Sequence, residues 1–137
     1  MTKVFVHGNP ETSAIWSLVV AELARRDIHD VVLLSPPGFG APTPTGWDAT
    51  QTSYTQWLIQ QLENIGGPTD LVGHDWGAGH TYGVAATRPD LVRSWAADCL
   101  IPNTSGMTTL ACGKPQEQEK KQLMVSSTCQ HRTRWLY

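Results

Sequence analysis

The sequence predicts an α/β domain, a parallel β-sheet with helices on both faces, followed by an irregular tail. Three observations carry that expectation. Over residues 1–100, short apolar runs alternate with stretches whose apolar residues recur at helical spacing. Each run stops at a loop rich in glycine or proline: HGNP, PPGFG, then GHDWG. After Leu100 neither period persists for more than one turn. Alternation implies parallel pairing, because parallel neighbours need a crossover and helical crossovers cover both faces of the sheet.

The elements follow in order. Val4-Phe5-Val6 forms the first strand, ended by His7-Gly8-Asn9-Pro10. Thr12 or Ser13 can cap a helix reaching about Arg26, with Ile15, Leu18, Val19 and Leu23 on its apolar side. Val31–Leu34 is a second buried strand, stopped by Ser35-Pro36-Pro37-Gly38. Tyr54, Trp57, Leu58, Leu62 and Ile65 mark a second amphipathic helix, closed by Gly66-Gly67-Pro68. Asp70 reads as a turn residue ahead of a third strand, Leu71-Val72, which runs into Gly73-His74-Asp75-Trp76-Gly77. Residues 78–88 form a third helix, rich in Gly and Ala and ended by Pro89; residues 92–97 form a fourth strand. The organisation is therefore a core over residues 1–100 and a tail over 101–137. In the tail, residues 116–122 (QEQEKKQ) read as a solvated helical turn or as disorder.

Composition narrows the function classes. A chain of 137 residues holds one domain at most, and 40% hydrophobic with 16% charged residues is ordinary for a globular protein. A net charge of -2 gives no strong attraction to nucleic acid or to an anionic membrane. Cys99, Cys112 and Cys129 are odd in number and lack metal-ligand spacing, so neither a disulfide framework nor a zinc site is expected, and no cofactor is. The N-terminus has no long apolar core of a signal peptide, and no window approaches the ~20 apolar residues of a membrane span. A cytoplasmic location is the expectation; the oligomeric state is open.

The chemistry concentrates in Gly73-His74-Asp75-Trp76-Gly77. The pattern G-x-S-x-G marks a tight strand-to-helix turn that presents a serine nucleophile. Here aspartate takes the middle place. An aspartate before a helix is often only an N-cap. The order of strand, HGNP loop, helix, strand, PGFG loop, helix, strand, GHDWG and helix favours the nucleophile turn instead. Gly73 and Gly77 remove side chains where strand and helix crowd together. A carboxylate there attacks an sp3 carbon bearing a leaving group and forms an alkyl-enzyme ester. Water activated by a histidine then hydrolyses the ester, and a second acid orients that histidine. The helix dipole favours the anion, and the N–H of Trp76 can face the developing oxyanion.

On these motifs, residues 4–98 resemble the first half of the α/β-hydrolase catalytic domain in its aspartate-nucleophile branch, which contains haloalkane dehalogenases and epoxide hydrolases. The resemblance implies a partial α/β-hydrolase fold with strand order second, first, third, fourth. It implies that Asp75 is the nucleophile and that the HGNP loop, with a cis peptide before Pro10, forms part of the oxyanion site. In the dehalogenases the leaving halide is held by an indole after the nucleophile and often an amide in the HGNP loop. Trp76 and Asn9 match both positions. Epoxide hydrolases also accept Trp after the nucleophile, but usually carry an aromatic at the place of Asn9 and protonate the epoxide oxygen with cap tyrosines. The pair leans toward a dehalogenase acting on a small apolar halide, with an epoxide as the alternative substrate. Asp98 ends the fourth strand near where some dehalogenases keep the triad acid, and is the candidate for that role. His7 and His74 read as structural histidines, His80 as a packing or surface residue, and Trp16, Trp47, Trp57 and Trp95 as core or pocket wall.

The resemblance also implies parts this chain does not display: a base histidine after the last strand, a cap domain and four further strands. His131 lies in QHRTRW, unlike a catalytic histidine loop. A shifted reading frame would account for the tail. Read from the last base of the Leu100 codon, residues 100–124 are compatible with HPEYVWHDNLGMWQTPRTGEEAID, whose aromatic and acidic character suits entry into a cap. The third reading of function is thus a catalytically incomplete fragment or pseudoenzyme.

Overall fold

The computed structural model describes residues 1–100 and 109–113. Residues 116–122, Cys129 and His131, weighed above, lie outside them. Strand β1 (Lys3–Val6) leads through a 3-10 turn at Ser13–Trp16 into helix α1 (Ser17–Arg25). Strand β2 (Val31–Leu34), helix α2 (Gln51–Ile65), strand β3 (Thr69–His74) and helix α3 (Trp76–Thr87) follow. A short turn at Pro89–Leu91 starts strand β4 (Val92–Leu100), and strand β5 spans Thr109–Gly113.

The sheet order is β2-β1-β3-β4-β5. The first four strands are parallel, in the expected order. The fifth was not legible in the sequence: β5 runs antiparallel to β4, with Ala96 opposite Cys112. Its five residues, TLACG, are too short to show a period, and the pairing is set by a neighbour already in place. β3 also starts earlier than expected. Asp70 belongs to the strand, where it meets Arg93, Lys3 and the Ser94 hydroxyl; it is not a turn residue.

One face of the sheet carries the core. Val4, Val6, Leu71, Trp95 and Ala97 pack there against Leu58, Ile59 and Leu62 of α2 and Ala78, Val84 and Ala85 of α3. Thr50 caps α2 by accepting the Ser53 N–H at 3.2 Å, and Gly66 closes it in a left-handed conformation. Trp57 and Ile65 are partly buried at the core margin.

The other face is covered thinly. Trp16 sits on Phe5 with ring centroids 5.0 Å apart, and Thr12 caps the 3-10 turn through the Ala14 N–H. α1 itself buries no residue, and Leu18 is 83% exposed. Of the expected apolar side, Ile15, Leu18 and Val19 are exposed and Leu23 is half-buried. The half-buried apolar residues of α1 are Val20 and Leu23, and Ser17, Val20, Ala21 and Ala24 line an open groove of about 530 Å³ with Leu33.

Candidate active site

Parallel pairing brings the C-terminal ends of β1, β3 and β4 to one edge of the sheet, where His74 stands in register with Asp98 and Gly73 with Val6. The loop after β1 and the turn after β3 meet there. Asp75 adopts φ 52 and ψ -120, outside the ordinary regions for an L-residue. Two main-chain hydrogen bonds hold it so: its N–H donates to the Asp98 carbonyl at 3.2 Å, and its own carbonyl accepts the Ala78 N–H at 3.0 Å.

The turn closes only because three residues lack side chains. A Cβ on Gly73 would overlap the Gly77 carbonyl and the Thr81 hydroxyl, and one on Gly77 would overlap the Val6 carbonyl. Gly8, which the sequence did not single out, approaches as closely: a Cβ there would overlap the Asp75 carboxylate. With Gly8 against it, the carboxylate receives the Asn9 main-chain N–H at Oδ2, 3.1 Å away. The Asn9–Pro10 peptide is cis. Asn9 is exposed, and its contact to Asp75 runs through the main chain. Trp76, 51% exposed, stands beside the Phe39 ring at 6.4 Å.

His74 organises the rest. Its Nδ1 lies 2.7 Å from Asp98 Oδ1, and its Nε2 lies 3.1 Å from Glu11 Oε1. The second Glu11 oxygen accepts the Gly8 N–H at 3.3 Å. Partial burial pulls the His74 pKa down, but the hydrogen bond and charge of Asp98, with the charges of Glu11 and Asp75, outweigh it and leave it above 6.5. Asp98 thus comes next to the turn, but on His74. Glu11 was missed by the sequence reading, since nothing local signals a partner 63 positions away.

The remaining described histidines point elsewhere. His7 is buried with Nδ1 against the Gly8 carbonyl at 2.9 Å. His80 is buried and stacked on Tyr54 at 4.7 Å, and burial lowers its pKa to about 4. His29 meets Asp27 at the surface. Both His74 nitrogens thus face carboxylates, while His7 Nε2 and His80 Nδ1 are buried without a partner. Among the described residues, no group of three metal-ligating side chains is arranged for an ion, and no helix is long and apolar enough to cross a membrane. The 530 Å³ groove lies at α1, away from this site.

Residues 4–124 match the model of the alpha/beta hydrolase family. The chain is 32% identical over 94 residues to the (E)-2-((N-methylformamido)methylene)succinate hydrolase of Acinetobacter baylyi, covering 68% of this chain and 35% of that protein. It resembles the structure of a loop variant of the haloalkane dehalogenase DbeA from Bradyrhizobium elkanii, with 27% identity, a TM-score of 0.61, and coverage of 70% of this chain and 32% of that one. Epoxide hydrolase A of Mycobacterium thermoresistibile shares the fold, at 24% identity and a TM-score of 0.60, over 75% of this chain and 34% of that one. The chain spans about a third of the length of the relatives it matches.

Proposed function

Given that this chain belongs to the alpha/beta hydrolase family, we propose that it carries the nucleophile half of a hydrolase in which Asp75 attacks a halogen-bearing carbon, as in a haloalkane dehalogenase. One observation carries the proposal. Asp75 stands at a positive-φ strand-to-helix turn with its carboxylate held by the Asn9 N–H. A carboxylate so presented forms a C–O bond to the carbon while the carbon–halogen bond breaks and halide leaves with the electron pair. The α3 N-terminus favours the anion before attack. The exposed indole of Trp76 supplies an N–H donor beside the nucleophile for the departing halide. The likeness to a haloalkane dehalogenase at 27% identity supports the same reading. The contact of Asn9 through its main chain favours a second reading, an epoxide substrate, because attack by Asp75 on an epoxide carbon needs no amide side chain in the loop.

Completing the cycle needs a base to activate water on the ester. Both His74 nitrogens face carboxylates, and His7 and His80 are buried. The described residues therefore support attack without hydrolysis, that is, one turnover ending in a covalent ester. Intact-mass spectrometry after incubation with a bromoalkane tests this. The expected result is a single alkyl adduct, absent in Asp75→Ala. Sustained bromide release would reveal a base, and no adduct would favour the catalytically incomplete reading. An adduct from an epoxide but not from a bromoalkane would favour the second substrate.

A further inference from the structure

We infer that His74 and Glu11 are positioning residues: His74, bridging Asp98 at the end of β4 and Glu11 in the loop after β1, clamps that loop so that the Asn9 N–H stays on Asp75. The inference rests on Asp75 as nucleophile only for its consequence in the reaction; the clamp itself is a statement about geometry. Each link is a short polar contact. Asp98 Oδ1 meets His74 Nδ1 at 2.7 Å, His74 Nε2 meets Glu11 Oε1 at 3.1 Å, and Glu11 Oε2 takes the Gly8 N–H at 3.3 Å. The next N–H along, that of Asn9, reaches Asp75 Oδ2 at 3.1 Å. The chain of contacts thus starts and ends at the nucleophile turn, since the Asp98 carbonyl also holds the Asp75 N–H.

As an imidazolium His74 hydrogen-bonds Asp98 and holds its charge against Glu11, whereas the neutral ring keeps the Asp98 hydrogen bond and loses the charge that holds Glu11. The groups facing His74 all favour its charged form: Glu11 from the loop, Asp98 from β4 and Asp75 from the turn, with the Trp16 ring edge alongside at 6.4 Å. Glu11 is the link to be released, because its distance to the ring is the longer one. Deprotonation then frees the loop, and the Asn9 N–H no longer tracks the carboxylate.

The test is a pH titration of the full-length 15N-labelled chain by NMR, following the His74 ring and the Asn9 amide. The Asn9 resonance is expected to move with the same midpoint as His74, at a pH above 6.5. In Glu11→Gln the His74 midpoint falls and the Asn9 response is lost. Asp98→Asn also lowers the midpoint and serves where Glu11→Gln does not fold. An Asn9 amide that stays still while His74 titrates would overturn the clamp, and the wild-type chain alone decides this. The two readings fail separately. A coupled titration with no bromoalkane adduct removes the nucleophile and keeps the clamp. Adduct formation together with an Asn9 amide that stays still while His74 titrates removes the clamp and keeps the nucleophile.

Discussion

At the scale of single residues, the site is governed by what is missing from it. Gly73 faces the Gly77 carbonyl so closely that a methyl group has no room. Gly73→Ala is expected to cost about 3 kcal/mol or more in urea unfolding, because backbone and not a flexible side chain must yield. Gly67→Ala, with nothing within 4 Å of the added carbon, should stay within about 0.5 kcal/mol. The elbow glycines, Asp75 and the loop around Asn9 were readable because tight turns confine their chemistry to a few adjacent residues. The Glu11–His74–Asp98 network was not. Its members are far apart in sequence, and only the parallel register of β3 and β4 brings His74 opposite Asp98.

At the scale of elements, the first four strands and the caps were legible, and β5 and the burial of α1 were not. Periodicity shows that a helix has an apolar side but not which side a sheet will take. Here Thr12 starts the turn as expected, yet Ile15, Leu18 and Val19 stay exposed and only Leu23 of the expected side is half-buried. Two substitutions separate the helices. Leu18→Gln on α1 should change stability by less than about 0.5 kcal/mol, since the side chain is already in water. Leu58→Ala on α2 should cost roughly 3 kcal/mol, because a fully buried side chain leaves a cavity between two helices and the sheet. Thermal or urea unfolding monitored by circular dichroism distinguishes them. A large loss from Leu18→Gln would mean that α1 is covered in solution.

At the scale of the molecule, the two shifted histidines set opposite limits on stability. His80 is kept neutral by burial, with a folded pKa of about 4 against 6.5 when free. The unfolded chain therefore binds the proton first as pH falls, and stability drops between 6.5 and 4. From pH 7 to pH 5 the loss should be about 2 kcal/mol, and much smaller in His80→Phe, as read from urea unfolding at the two pH values. His74 works the other way. Its folded pKa is raised, so its contribution is complete below 6.5 and fades as pH rises through the folded value. Unfolding measured from pH 6 upward should show that decline, and Glu11→Gln should weaken it. The sheet order has a consequence in time. β1 is flanked by β2 on one side and β3 on the other, although it precedes both in the chain. On the ribosome, Val4-Phe5-Val6 emerges with no partner, gains its first neighbour only after Val31–Leu34, and waits roughly sixty residues for its second. At about 5–20 residues per second, that is a wait of several seconds. During it, one of the most apolar segments of the nascent chain has an unpaired edge, so slower translation between α1 and β3 should lengthen chaperone engagement and lower the yield of folded protein.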